Sequence, residues 1–186
     1  MGLIGGSFGL ALKRAGFSGR IVGVSRGPTL DTARQMGVID EGWTYEELDR
    51  ALDGADLVLL CTPIKHILGF LEEIGRHAPT GALITDAGST KRRIVEQAAQ
   101  VLPAGLHFVG GHPMAGSEKS GVTAADPFLF QNAIYILTPG AQVPPQPYDA
   151  LVGLLRSIGA KVLEMDAETH DQTVAAISHL PQLMAT

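Results

Sequence analysis

Apolar and polar positions along this chain switch period repeatedly, and each switch marks an element. Phe8 to Ala15 is an amphipathic helical run that closes at Gly16. Short apolar runs read as buried strands at Arg20–Ser25, Ala55–Cys61, Leu83–Thr85 and Phe108–Val109. Between them, helical patterning covers Thr29–Met36, Tyr45–Leu52, Ile64–Arg76 and about Arg92–Val101. Strands alternating with helices at this spacing predict a doubly wound, mostly parallel α/β sheet covered on both faces. The later part predicts a strand at Asn132–Leu137, a proline-rich loop at Pro139–Pro147, a helix at Tyr148–Ile158 and a last strand at Lys161–Met165. A final helix is expected from Ala167 to Thr186.

Composition narrows the class. The 186 residues suit one domain, or one domain and part of a second, and 45% apolar content with 18% charged residues supports a folded core. A formal net charge of -5 provides no polycationic surface, so neither nucleic acid nor an anionic membrane is an expected partner. Cys61 is the single cysteine, which precludes an internal disulfide and suits a reducing cytoplasm. The apolar start has no basic residue before it and Lys13-Arg14 after it, the wrong polarity for a signal peptide. No run is long enough to span a bilayer, so a soluble, cytoplasmic protein is expected.

Candidate chemistry gathers at the predicted strand ends, where open α/β sheets bind ligands. Gly110-Gly-His-Pro-Met-Ala-Gly-Ser-Glu-Lys-Ser-Gly121 follows the Phe108–Val109 strand and is expected to be a loop. Two glycines allow close backbone approach, and Pro113 keeps His112 extended. His112, near Ser117 and Glu118, then reads either as an acid–base group titrating near neutrality or as a turn histidine bonded to backbone. Ser89, at the end of the preceding strand, faces the same crevice, or caps the following helix, or does both. Lys91 lies in the first turn of that helix, against the dipole, and reads more readily as solvated than as a ligand contact. Gly2 and Gly5 are spaced like the second and third glycines of G-x-G-x-x-G, so Gly2, Leu3, Ile4 and Gly5 are expected to present a helix start to a pyrophosphate. Ser25 and Arg26 end the strand that reads the adenosine ribose, and Thr62 and Pro63 end the Ala55–Cys61 strand at the same edge. No metal site is expected. In the last helix, Pro181 opens a turn beside Ser178, His179 and Gln182, which are either functional or satisfy the freed carbonyls.

Four motifs together resemble the prephenate and arogenate dehydrogenases of tyrosine biosynthesis: Gly2-Leu-Ile-Gly-Gly-Ser7, Asp86-Ala-Gly-Ser-Thr-Lys91, Gly110-Gly-His-Pro-Met-Ala-Gly-Ser-Glu118 and Ser178-His-Leu-Pro-Gln182. They stand in the family's order. The resemblance implies a Rossmann-like dinucleotide-binding domain over residues 1–166, with 167–186 as the first helix of a helical domain for substrate binding and homodimerisation. It implies oxidative decarboxylation: hydride leaves the ring carbon bearing the hydroxyl for NAD(P)+, carbon dioxide departs and the ring becomes aromatic. In that reading His112 takes the hydroxyl proton, Ser89 hydrogen-bonds the same hydroxyl and lies near the nicotinamide, and Thr62 and Pro63 are further cofactor contacts. Glu118 and Ser117 sit at the mouth, and His179 and Gln182 lie on the substrate side.

Three departures shape the expectation. Many family members end the last motif in histidine where this chain has Gln182, leaving the choice between prephenate and arogenate open. The family's substrate-binding arginine has no counterpart here. The first glycine of the fingerprint and the strand before it are also missing, so an internal piece of a longer chain is expected. With Ser25-Arg26 and no carboxylate until Asp31, NADP+ is the expected cofactor, NAD+ being the alternative.

Overall fold

A computed structural model describes residues 1–140 and 142–179. Helix α1 (Leu3–Arg14) leads into β1 (Val22–Val24), α2 (Gly27–Gln35) and β2 (Glu41–Trp43). Next come a 3₁₀ turn at Tyr45–Glu47, α3 (Leu48–Leu52), β3 (Leu57–Leu60), α4 (Ile64–His77), β4 (Leu83–Asp86), α5 (Arg92–Val101) and β5 (His107–Pro113). After a 3₁₀ turn at Val122–Ala124 follow β6 (Ile134–Pro139), α6 (Pro145–Ser157), β7 (Lys161–Glu164) and α7 (Ala167–Val174), which runs on as a π-helical turn, Ala175–His179.

Five strands form one sheet in the order β3-β4-β5-β6-β7, parallel except where β6 runs against β5. Adjacent residues of β4 supply opposite faces. Leu83 packs with Phe8 and Leu12 of α1 and Leu151 and Leu155 of α6. Ile84 packs with Leu48 of α3, Ile67, Leu71 and Ile74 of α4 and Ile94 of α5. The fold is therefore doubly wound, as the alternation of elements predicts. On α4 the buried positions 67, 71 and 74 recur at helical spacing, and each such side chain contributes roughly 1.5–3 kcal/mol. Helix α1 stops where expected: Gly16 takes φ +81°, and the N–H of Phe17 reaches back to Leu12 O at 3.0 Å, a turn that a Cβ would strain.

Strands β1 and β2 form a separate parallel pair. An apolar slot of about 930 Å³, lined by Phe8, Leu12, Val22, Val24, Leu57 and Leu59 among others, lies between β1 and β3. Strand β2 and the 3₁₀ turn at Val122–Ala124 were not anticipated by the hydrophobic pattern. The predicted final helix is described only to His179, so its continuation to Thr186 lies outside the described residues. Among the described residues no helix is long and apolar enough to cross a membrane.

Candidate active site

Three strand ends and one helix start meet at a single edge. The Met1 amino group donates to Val24 O at 3.1 Å, and a Cβ placed on Gly5 would lie 3.4 Å from Cys61 Cβ, which sets the start of α1 between the ends of β1 and β3. Gly2 precedes the helix in extended conformation, and the first helical bond is Gly6 N–H to Gly2 O at 2.8 Å. The N–H groups of Leu3, Ile4 and Gly5 therefore have no intrahelical acceptor. No acidic side chain stands in this first turn, and a Cβ on Gly2 would meet nothing within 4 Å. Such donors, open on one side at a helix start, fit a pyrophosphate. Thr62, just past β3, has a buried hydroxyl with no protein partner, a further polar group suited to a ligand. Pro63 beside it is exposed and leads into α4. Ser25 is buried, and Arg26 is exposed as the residue preceding α2.

The segment containing His112 differs from expectation. Gly110, Gly111, His112 and Pro113 are not in a loop: they continue β5 and pair with Thr138, Leu137, Ile136 and Tyr135 of β6. The glycines serve strand packing. A Cβ on Gly110 would lie 2.2 Å from Thr138 Oγ1, and one on Gly111 would lie 2.4 Å from the Asp86 carbonyl oxygen. His112 is thus buried in a strand, with its Nδ1 2.8 Å from Nε2 of His170 on α7. His170 is fully buried, and its Nδ1 lies 2.7 Å from Asp171 Oδ1.

Two further expectations are corrected here. Ser89 is exposed in the β4–α5 turn and does not cap α5, whose preceding residue is Lys91. The cap is Asp171, whose carboxylate accepts the Lys91 N–H at 2.7 Å and the Arg92 N–H at 3.1 Å. Partial burial works against the charge on Asp171, but these N–H groups and the His170 ring hold its carboxyl below the usual range. Nor is Lys91 solvated. Its ammonium is completely buried, in contact with the equally buried Asp86, and donates to Gly111 O at 2.6 Å. Asp86 also accepts the N–H groups of Gly88 at 2.8 Å and Gly111 at 3.0 Å. Desolvation pushes the Asp86 carboxyl up and the Lys91 ammonium down, each opposed by the charge of the other.

Ser117 and Glu118 lie exposed beyond β5, where Ser117 Oγ accepts the Lys119 N–H at 3.0 Å. The segment then returns onto α1: Asp126 N–H donates to Ser7 Oγ at 2.9 Å. The backbone of His179 ends the π turn, its side chain is not described, and Gln182 lies outside the described residues. The structure thus sets Thr62, Ser89 and His112 at the carboxyl ends of the adjacent strands β3, β4 and β5, with the α1 start against the end of β3. It adds Asp86, Lys91, His170 and Asp171, which sequence reasoning did not assign to the site.

A Rossmann-like nucleotide-binding domain with an anchored histidine at its crevice is the class this arrangement defines. The chain belongs to the prephenate dehydrogenase family: the profile of the prephenate dehydrogenase nucleotide-binding domain matches residues 8–164. It is 44% identical over 187 residues to a prephenate dehydrogenase of Bacillus subtilis (strain 168), covering 100% of this chain and 50% of that protein. Among solved structures, prephenate dehydrogenase from Aquifex aeolicus superposes with a TM-score of 0.91 at 32% identity, over 99% of this chain and 66% of that one. Synechocystis arogenate dehydrogenase gives 0.88 at 38% identity, over 97% and 62%. The chain spans about half the length of the curated relatives it matches.

Proposed function

We propose that the protein containing this chain oxidatively decarboxylates prephenate or arogenate, using a nicotinamide dinucleotide. The observation that carries this reading is His112, anchored at the carboxyl end of β5 on the same edge as the open donors of α1. When bound, the dinucleotide supplies the hydride acceptor. Leu3, Ile4 and Gly5 N–H groups would hold its pyrophosphate, with Thr62 and Pro63 alongside. His112 draws the proton from the substrate hydroxyl as hydride leaves the same carbon, and returns it to the ring oxygen once carbon dioxide has departed. Ser89, exposed at the neighbouring strand end, hydrogen-bonds that hydroxyl. Ser117, Glu118, His179 and Gln182 contact the substrate further out. An Aquifex aeolicus relative, 33% identical, has been solved with hydroxyphenyl propionate and NAD+, which supports a small aromatic acid as substrate and a nicotinamide cofactor.

The finer assignments belong to the same proposal. Arg26, exposed at the end of β1, favours NADP+ because a guanidinium binds a 2′-phosphate that a carboxylate would repel. A cytoplasmic homodimer formed through the helical region that begins at residue 167 completes the reading. The test is NADH and NADPH formation by the full-length protein with prephenate and with arogenate. His112→Asn should lower kcat by roughly 10²–10⁴ with dinucleotide affinity retained, and Ser89→Ala should cost less. Near-normal turnover by His112→Asn would overturn the assignment of the base.

A further inference from the structure

We infer that His170 and Asp171 are positioning residues that fix which ring nitrogen of His112 carries its proton and which carries its lone pair. This rests on His112 being the base, and the chain of bonds that leads to it starts at a fixed point. The Asp171 carboxylate is held by two backbone N–H groups at the start of α5, 80 and 79 residues away in sequence. A carboxylate only accepts, so the His170 nitrogen 2.7 Å from it, Nδ1, carries a proton. The other nitrogen of a neutral His170, Nε2, is then an acceptor, and it lies 2.8 Å from His112 Nδ1. His112 Nδ1 must donate. The lone pair of a neutral His112 is thereby placed on Nε2, the atom that takes the substrate proton in this reading.

The geometry suits a relay more than packing alone. The two rings meet edge to face, with centroids 5.1 Å apart and planes at 67°, so that nitrogen addresses nitrogen. His170 is fully buried, and an apolar side chain could fill its site without needing any partner. When His112 becomes an imidazolium, the charge faces Asp171 through one intervening imidazole. An imidazole whose tautomer is set by a carboxylate is worth much more as a base than one free to adopt either form. Because Asp171 also caps α5, the helix that opens the region beyond residue 167 is tied directly to the base.

The test uses the full-length protein with ¹⁵N-labelled histidine and reads the His112 tautomer at a pH where the ring is neutral. The Nδ1–H form is expected in the parent. His170→Leu should yield a mixture of tautomers and lower kcat by about 10²-fold, with KM for the dinucleotide within about twofold. His170→Gln retains a carbonyl acceptor for the His112 Nδ1–H and should recover most of both. An Nε2–H tautomer in the parent would overturn the inference, and that reading needs no folded variant and no activity. So would a normal kcat for His170→Leu, or equal losses for Leu and Gln. Turnover that survives His112→Asn would instead refute the base itself, whatever His170 does.

Discussion

Replacing Lys91 by Met tests the buried charges beneath the site. Both side chains of the Lys91–Asp86 pair are 0% exposed. Lys91→Met keeps most of the buried aliphatic stem, but it leaves the Asp86 carboxylate with two N–H donors and no countercharge, and strips Gly111 O of its donor. Breaking a buried pair from one side costs about 3–5 kcal/mol. For a domain of this size that lowers Tm by about 6–20 °C. Asp86→Asn added to Lys91→Met should return much of the loss, since the amide is neutral and its oxygen still accepts an N–H.

The pH dependence carries a sign. Burial already raises the Asp86 carboxyl above its ordinary value, and removing Lys91 removes the largest opposing influence. Between the unfolded pKa of about 3.9 and the raised folded one, the folded state binds more protons than the unfolded state. Stability therefore falls as pH rises through that window. The deficit of Lys91→Met relative to the parent should be smallest in acid and grow toward neutrality. Urea unfolding of the full-length protein between pH 4 and 7 reads all of this. A single variant within about 1 kcal/mol of the parent, or a double variant no better than the single, would refute the reasoning.

Three other outcomes are expected. Gly111→Ala sets a Cβ against the Asp86 backbone and should cost roughly 1–3 kcal/mol or more by urea unfolding, whereas Gly110→Ala meets a rotatable Thr138 side chain and should cost less. Burial pushes the Cys61 thiol up to about 12, so in the native protein at pH 8 iodoacetamide should react at least about 10²-fold more slowly than with free cysteine. Arg26→Ala should weaken NADP+ binding far more than NAD+ binding, and equal losses by titration would remove the case for NADP+ preference.

What the sequence revealed and what it hid follow from the range of the interactions. Helix α5 is legible to the residue because its apolar positions, Ile94 and Ala98, recur at helical spacing among polar neighbours. Strand β2, Glu-Gly-Trp at 41–43, has no alternation to read and exists because β1 offers it a parallel partner. The α/β alternation predicts parallel strands whose carboxyl ends share one edge, and β3, β4 and β5 are so arranged. The glycines before His112 read as loop residues because glycine usually opens a backbone to ligand, yet here they bring β5 close to Asp86 and Thr138. The role of Asp171 depends on contacts 80 residues apart in the chain. The sequence points away from it, since Ser89 offers a local cap, whereas in the structure α5 starts after Lys91 with no side-chain cap of its own. A buried helix start lacking a local cap requires an acceptor from elsewhere.

That helix start, capped by Asp171, is also where the two supports of His112 converge. Lys91 donates through its backbone N–H to Asp171, which leads to the His112 ring by way of His170. Through its ammonium it meets Asp86 and Gly111 O, which hold the main chain just before His112. One residue thus steadies the ring from one side and the strand from the other, by different groups. Lys91→Met deletes only the second, because the N–H survives any substitution except proline. The His112 tautomer should therefore persist in Lys91→Met while stability falls. His170→Leu should do the reverse, leaving the Asp86–Lys91 contact intact and releasing the tautomer. If Lys91→Met also scrambles the tautomer, ring and strand are held by a single support, and the separation drawn from these hydrogen bonds is wrong.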